Sequence, residues 1–289
     1  MLDALGIKER STPALRLLVS RAVCEANSVT SARELLQMSG VQLGHKTALR
    51  LTYDVCEEAL RARRQALRRQ KGADDHGAFA GRRVVAAIDG GRVQIRHRVA
   101  GRPRKGGRKR FETEWREPKV LTIYVLDEHG KRDRKVASVI DGTLGGADDA
   151  FALLLFHLRR LGVHKAKDKD LDYWVRHRDR LRFASFRRRG LPCGSGAVES
   201  SVRRVVNLRM KGASVTWTEA HAEGVLHLRA HAKSGRWSEL ENTVLSTTGW
   251  RPTARQPRQE ETPLSQPMML SPSANQKYEA TFFGRRIIK

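Results

Sequence analysis

Two acidic residues stand where carboxylate chemistry could be done. Asp89 ends the apolar run Val84-Val85-Ala86-Ala87-Ile88 and is followed by Gly90 and Gly91. A charged group at the end of such a run is costly unless it is solvated, paired or bound to a metal ion. Glu199 lies in the stretch RRRGLPCGSGAVESSVRRVVNLRMK, residues 187–211. Pro192 and the surrounding glycines stop any preceding helix. Val198, Val202, Val205 and Val206 then recur at helical spacing, which predicts a helix over 196–211 with Glu199 in its first turn. A carboxylate at a helix start, followed by Arg203, Arg204, Arg209 and Lys211, could hold a divalent metal ion opposite a phosphate. Each residue also has a purely structural use. A first-turn glutamate is favoured by the helix dipole and stands four positions before Arg203, an ion-pair spacing. Asp-Gly is a common turn between strands.

The elements that must position these carboxylates follow from periodicity. Two helices are expected within residues 12–38, the second opened by a capping box of Ser31 and Glu34 and ended by Gly40. A long basic helix follows over 45–69, with Leu51, Val55 and Ala59 inward. Helix, glycine-containing turn and helix is the outline of a helix-turn-helix, which would place His45, Lys46, Thr47 and Arg50 where base contacts are made. A plain helical hairpin with solvated charges gives the same pattern. Residues 72–81 read as a linker, so residues 1–71 are expected to form a unit of their own. Strand character appears at 82–96, 119–127 and 135–141, predicting an antiparallel meander, with the first strand apolar throughout as in a buried position. A helix is expected over 147–161, with Phe151, Leu154, Leu155, Leu158 and Leu161 on its apolar face. Asp148 and Asp149 at its start read as capping groups. A basic helix over 171–189 and a last helix from Thr218 to Ala232 complete the core. The fold class is therefore mixed α/β (α+β): an N-terminal helical region, a core over 82–245 and C-terminal helices. Residues 246–289, rich in Pro, Gln, Ser and Thr, are expected to be disordered.

Composition narrows the partners. The chain has 289 residues and carries 56 Lys and Arg against 31 Asp and Glu, a formal charge of +25. A protein this basic calls for a polyanion, and nucleic acid is the one expected. Residues 98–110, RVAGRPRKGGRKR, can bury nothing and are expected to meet phosphate through Arg102, Arg104, Lys105, Arg108, Lys109 and Arg110. Gly101-Arg102-Pro103-Arg104 also has the composition of a minor-groove hook. Arg187, Arg188 and Arg203, flanking the Glu199 segment, belong to the same expected DNA surface, and Arg96-His97-Arg98 and Arg176-His177-Arg178 read as phosphate-facing. No apolar run approaches a membrane span, and MLDALGIKERST lacks the apolar centre of a signal peptide, so a cytoplasmic protein of a bacterium is expected. Cys24, Cys56 and Cys193 are too far apart for a Cys-x-x-Cys pair, and neither a zinc site nor a disulfide framework is indicated. No phosphate-cradling glycine loop predicts a nucleotide cofactor.

The stretch GLPCGSGAVESSVRRVVNLRMKGASVTW, followed by LHLRAHAKSGRW, resembles the C-terminal signature of bacterial insertion-sequence transposases of the ISKra type. That family belongs to the DDE class and has a ribonuclease-H-like core. The resemblance covers most of residues 10–240. It implies that Glu199, in the Gly194–Ser200 motif, is the last catalytic carboxylate and that Asp89 is the first. It also implies Mg²⁺ or Mn²⁺ as cofactor, and double-stranded DNA as partner alongside a second copy or a full-length transposase. Intact relatives carry another strand after the equivalent of Leu161-Gly162-Val163-His164-Lys165, ending in the second catalytic Asp. Here LGVHKAKDKDLDYWVRHRDRLRF runs straight into the basic helix, so that strand is missing and a backbone edge should be left open. Asp168, Asp170 and Asp172 are the nearest substitutes in sequence. Impaired DNA cutting, or a non-catalytic role as regulator or inhibitor of a full-length transposase, is the corresponding expectation.

Overall fold

The structure is a computed structural model that describes residues 7, 11–69, 77–101, 109–163, 196–212, 215–247 and 280–284. Helix α1 (Pro13–Glu25) starts where Thr12 accepts the Leu15 N–H at 3.2 Å and Pro13 supplies a preset φ. Helix α2 (Val29–Met38) begins one turn earlier than the expected Ser31 box. Its cap is Ser28, whose Oγ accepts the Ser31 N–H at 3.0 Å. Gly40, at φ 80°, ends it by letting Val41 N–H return to the Leu36 carbonyl. Helix α3 (His45–Arg68) is 24 residues long, about 36 Å at the standard rise. Ala48 and Leu51 of α3 pack with Val19, Val23, Val29, Ala32 and Leu36 in a small three-helix core.

The apolar run before Asp89 forms strand β1 (Val84–Gly90). The expected single strand over 82–96 is in fact two strands in different sheets. Gly90-Gly91-Arg92 breaks it, and strand β2 (Val93–Arg98) leaves to pair antiparallel with β3 (Phe111–Arg116) as a separate ribbon. Gly91 permits the turn because a Cβ there would stand 2.9 Å from Val206 Cγ1. Its N–H is taken by the Pro118 carbonyl at 3.0 Å. Strand β4 (Lys119–Val125) pairs antiparallel with β1, and β5 (Val139–Thr143) pairs antiparallel with β4. β5 lies a few residues beyond the expected 135–141. Asp127 and Asp133 draw the preceding segment into turns by accepting the N–H groups of Lys131 and Lys135. The free edge of β1 is filled by β6 (Ala280–Gly284), parallel, with Val84 opposite Ala280 and Ile88 opposite Gly284. The sheet order is thus β5-β4-β1-β6, and a strand stands where an open edge and a disordered tail were expected.

Helices cover both faces. Helix α4 (Ala147–Arg160) lays Leu153, Leu154 and Leu158 on Val84, Ala86, Leu121 and Ile123. Phe151, expected inward, faces solvent at 37% exposure, and Leu153 takes its place. Asp149 does cap the start, accepting the Gly146 N–H at 2.9 Å. On the other face lie α5 (Gly196–Val202), α6 (Glu219–Lys233) and α7 (Trp237–Thr247). The helix expected over 196–211 ends its α-form at Val202 and continues as a π turn over Arg203–Asn207. The fully buried Arg229 of α6 accounts for this. Its guanidinium donates to the carbonyls of Arg204, Val205 and Cys24, satisfying oxygens that a π turn frees.

The expected boundary near residues 72–81 does not separate two cores. Leu17 and Cys24 of α1 and Val55, Cys56 and Ala59 of α3 share one cluster with Val93, Ile95, Val120, Ile140, Val205, Leu226 and Trp237. Gly224 of α6 lies so close to α3 that a Cβ would fall 2.4 Å from Cys56 Cβ. The expected helix over 171–189 and the expected disorder of 248–279 and 285–289 fall outside the described residues.

Candidate active site and cationic surfaces

Alternation along β1 puts Val85, Ala87 and Asp89 on one face of the sheet. That face receives α5: Val198 packs in a cluster with Val85, Ala87, Tyr124 and Leu126. Farther along, Val202 and Val206 lie against Gly91. Glu199 sits between these two contacts, one turn before Val202. The fold therefore brings the Glu199 helix alongside the Asp89 end of β1. Asp89 is half-buried and its Oδ1 accepts the Gly90 N–H at 2.9 Å. It makes no ion pair with any described residue. Glu199 is exposed. Behind this face, Glu117 fills the space that a Cβ at Gly90 would need and pairs with Lys119 at 2.9 Å. Its position at Gly90, not Asp89, puts it on the opposite side of the strand.

This donor set does not fit a two-ion centre. Such a centre needs carboxylates bridging two metals about 3.5–4 Å apart, and the face holds Asp89 and Glu199. Among the described residues no group of three or more His, Cys, Asp and Glu side chains is arranged to hold a metal ion. Asp168, Asp170 and Asp172 lie outside the described residues.

A different carboxylate site emerges at Asp141, which the strand pattern marked only as a strand end. Asp141 is 1% exposed on edge strand β5, where helices from both faces can reach it. Its Oδ2 accepts from His157 Nε2 of α4 at 2.9 Å and its Oδ1 from His227 Nδ1 of α6 at 3.1 Å. The Gly142 N–H donates to Oδ1 at 2.8 Å, and Arg63 of α3 approaches it at 3.4 Å. Arg63 also pairs with Glu223 and donates to the Gly142 carbonyl at 2.9 Å. Burial opposes the charge on Asp141, but the two imidazoles and the Arg63 guanidinium outweigh it and hold the carboxyl well below its usual range. Burial likewise pushes His157 and His227 down, against the pull of Asp141. His231, whose Nδ1 donates to the His227 carbonyl at 3.1 Å, is pushed well below the ordinary imidazole value by burial and by His227 and Arg236. The sequence signal was present. Asp141-Gly142 repeats the Asp89-Gly90 pattern after an apolar pair, and His157 and His227 lie on the apolar stripes of their helices.

The cations expected to meet DNA fall in three places. His45 and Lys46 are exposed at the start of α3, while Arg50, one turn on, is half-buried. Lys109 and Arg110 are exposed at the outer end of the β2–β3 ribbon. Arg203 is exposed on the π turn after α5. Arg102, Arg104, Lys105, Arg108, Arg187 and Arg188 lie outside the described residues, as does Cys193. Cys24 and Cys56 are buried free thiols. Among the described residues no helix is long and apolar enough to cross a membrane. No family model matches the chain, and no curated protein or solved structure matches it.

Proposed function

We propose that this chain is a DNA-binding protein of the DDE transposase kind, cytoplasmic in a bacterium and impaired in DNA cutting. The observation that carries the reading is the packing of the Glu199 helix on the face and end of β1 that bear Asp89. The motif resemblance pairs two residues 110 positions apart as first and last catalytic carboxylates, and the elements that carry them pack together. The strand order supports the same reading. Three antiparallel strands, a helix, and a parallel strand on the far side of β1 suit a ribonuclease-H-like core. Helices α2 and α3 supply the helix-turn-helix of the proposal, with His45, Lys46 and Arg50 toward DNA and Lys109, Arg110 and Arg203 on phosphate.

An intact enzyme of this kind uses Mg²⁺ or Mn²⁺ to activate water or a 3′-hydroxyl and to stabilise the leaving oxygen. Asp89 and Glu199 are two ligands for such a centre and do not build it. That shortfall favours the second reading, a DNA-binding regulator or inhibitor that pairs with a full-length transposase. Both readings demand binding to double-stranded DNA that weakens steeply with salt, since cations displace condensed counterions. The test is supercoiled plasmid incubated with the protein and Mg²⁺ or Mn²⁺, beside Asp89→Ala and Glu199→Ala variants. Binding without nicking is expected. Nicking that both variants lose would make the chain a working transposase, and no binding at low salt would overturn both readings.

A further inference from the structure

The β2–β3 ribbon carries large apolar groups where solvent should see polar ones. Trp115 is 56% exposed and Phe111 47% exposed. The register explains how they are displayed. Gln94 stands opposite Trp115, Arg96 opposite Thr113 and Arg98 opposite Phe111. Paired residues share a face, so Trp115, Thr113 and Phe111 lie beside Gln94, Arg96 and Arg98 on one side of the ribbon. The other side is different in kind. Val93 and Ile95 are buried in the main core beside Trp217, and farther out His97 pairs with Glu114 at 3.0 Å. The ribbon is thus anchored by its back, and its front presents two aromatic rings and two arginines to solvent.

That front has the composition of a stacking platform. Bases stack on aromatic side chains irrespective of sequence, while cations track the phosphates. Trp115 and Phe111 are four residues apart on one strand, about 13 Å. Bases stacked in a duplex are only about 3.4 Å apart along one strand. Two rings so far apart suit bases splayed from one another, each taking its own. Double-stranded DNA hides its base faces and would leave both rings wet. A protein partner would be met by the same apolar groups, but Arg96 and Arg98 beside them favour a polyanion.

We infer that the outward face of the β2–β3 ribbon binds unpaired bases of single-stranded DNA, with Trp115 and Phe111 stacking and Arg96 and Arg98 on the backbone. The inference rests on the DNA-binding reading above and adds a substrate class to it. It assigns to the ribbon a distortion-sensing or strand-separating contact, distinct from the contacts of α3.

The test measures anisotropy of a labelled oligothymidylate and of a labelled random duplex at one fixed salt concentration. The full chain is compared with Trp115→Ala/Phe111→Ala and with the conservative Trp115→Tyr. Both substituted positions are on the surface, and circular dichroism of each variant reports on folding. Loss of two stacking contacts is expected to raise the single-strand Kd about tenfold or more, with duplex Kd changed less than about twofold. Trp115→Tyr is expected to retain most single-strand binding. Equal loss on both DNAs, or no loss on either, overturns the proposal while leaving DNA binding intact. Wild-type binding to neither DNA overturns the underlying reading instead. Loss of self-association in sedimentation, with single-strand affinity unchanged, would assign the face to a second copy of the chain and also overturn it.

Discussion

Asp141 is the residue whose removal the structure prices most clearly. Four donors converge on it: His157, His227, Gly142 N–H and Arg63. They come from α4, α6, β5 and α3, so the carboxylate joins the N-terminal helices to the sheet. Asp141→Ala leaves two buried imidazole N–H groups without an acceptor, at about 1–3 kcal/mol each. Arg63 keeps Glu223 and the Gly142 carbonyl, so its charge is not stranded. The net expectation is a loss of about 3–5 kcal/mol, the usual cost of breaking a buried charged contact from one side. Asp141→Asn retains one oxygen and should cost less than the alanine. Urea unfolding at pH 7.5, followed by circular dichroism, measures both. A loss under about 1 kcal/mol for Asp141→Ala would refute the cluster as a junction. The histidines add a pH dependence of known sign. Their folded pKa values are depressed, so the folded state resists taking protons that the unfolded chain accepts. Stability is full above about pH 6.5, the unfolded imidazole value, and falls as pH drops below it. Each histidine kept neutral costs about 1.4 kcal/mol per pH unit in that window. Asp141, depressed in the folded state, adds a further loss only below about pH 4. An unfolding midpoint unchanged between pH 7.5 and 5.5 would contradict the burial of the imidazoles.

Two shorter tests follow. Burial pushes the Cys24 thiol up to about 12 and Cys56 well above its ordinary value, so neither should be alkylated at pH 8 until denaturant is added. Mass spectrometry after brief labelling would show this, and native labelling of either would contradict the packing of α1, α3 and α6. Deleting residues 280–289 removes β6 and exposes the β1 backbone edge, which should promote self-association in sedimentation; an unchanged monodisperse profile would mean the edge needs no cover.

Long periodic segments were readable from sequence alone. α3, α4 and α6 lie where their apolar stripes put them, because burial of one stripe is a local pattern. What was not readable depended on distant partners. The split of 82–96 into β1 and β2 needs Gly91 pressed against Val206, more than 100 positions away. The π turn after Val202 needs Arg229. Strand Phe111–Arg116 is exposed at nearly every position and so lacks the apolar alternation of a half-buried strand. Strand β6 lies beyond the change of composition near residue 246, where low complexity hid it. In the candidate site, the sequence pointed to Asp89 and Glu199 but not to the Asp141 cluster, whose donors come from three separate helices.

The two Asp-Gly pairs show how one dipeptide meets different surroundings in the same sheet. They lie abreast across β4: Asp89 is opposite Val120, and Val120 is opposite Gly142. In each, the aspartate accepts the N–H of its own glycine, at 2.9 and 2.8 Å. The neighbours then set different fates. At β5, an edge strand, helices from both faces converge and His157, His227 and Arg63 consume the remaining lone pairs of Asp141. A carboxylate saturated by fixed donors in a buried site cannot accept a metal ion or a proton without breaking the junction. At β1, Asp89 is half-buried, and no described cation pairs with it. The helix that carries Glu199 packs on the same face of β1. The same dipeptide thus serves as a structural rivet at the sheet edge and as a candidate ligand at its centre, and the difference lies in which helices reach it.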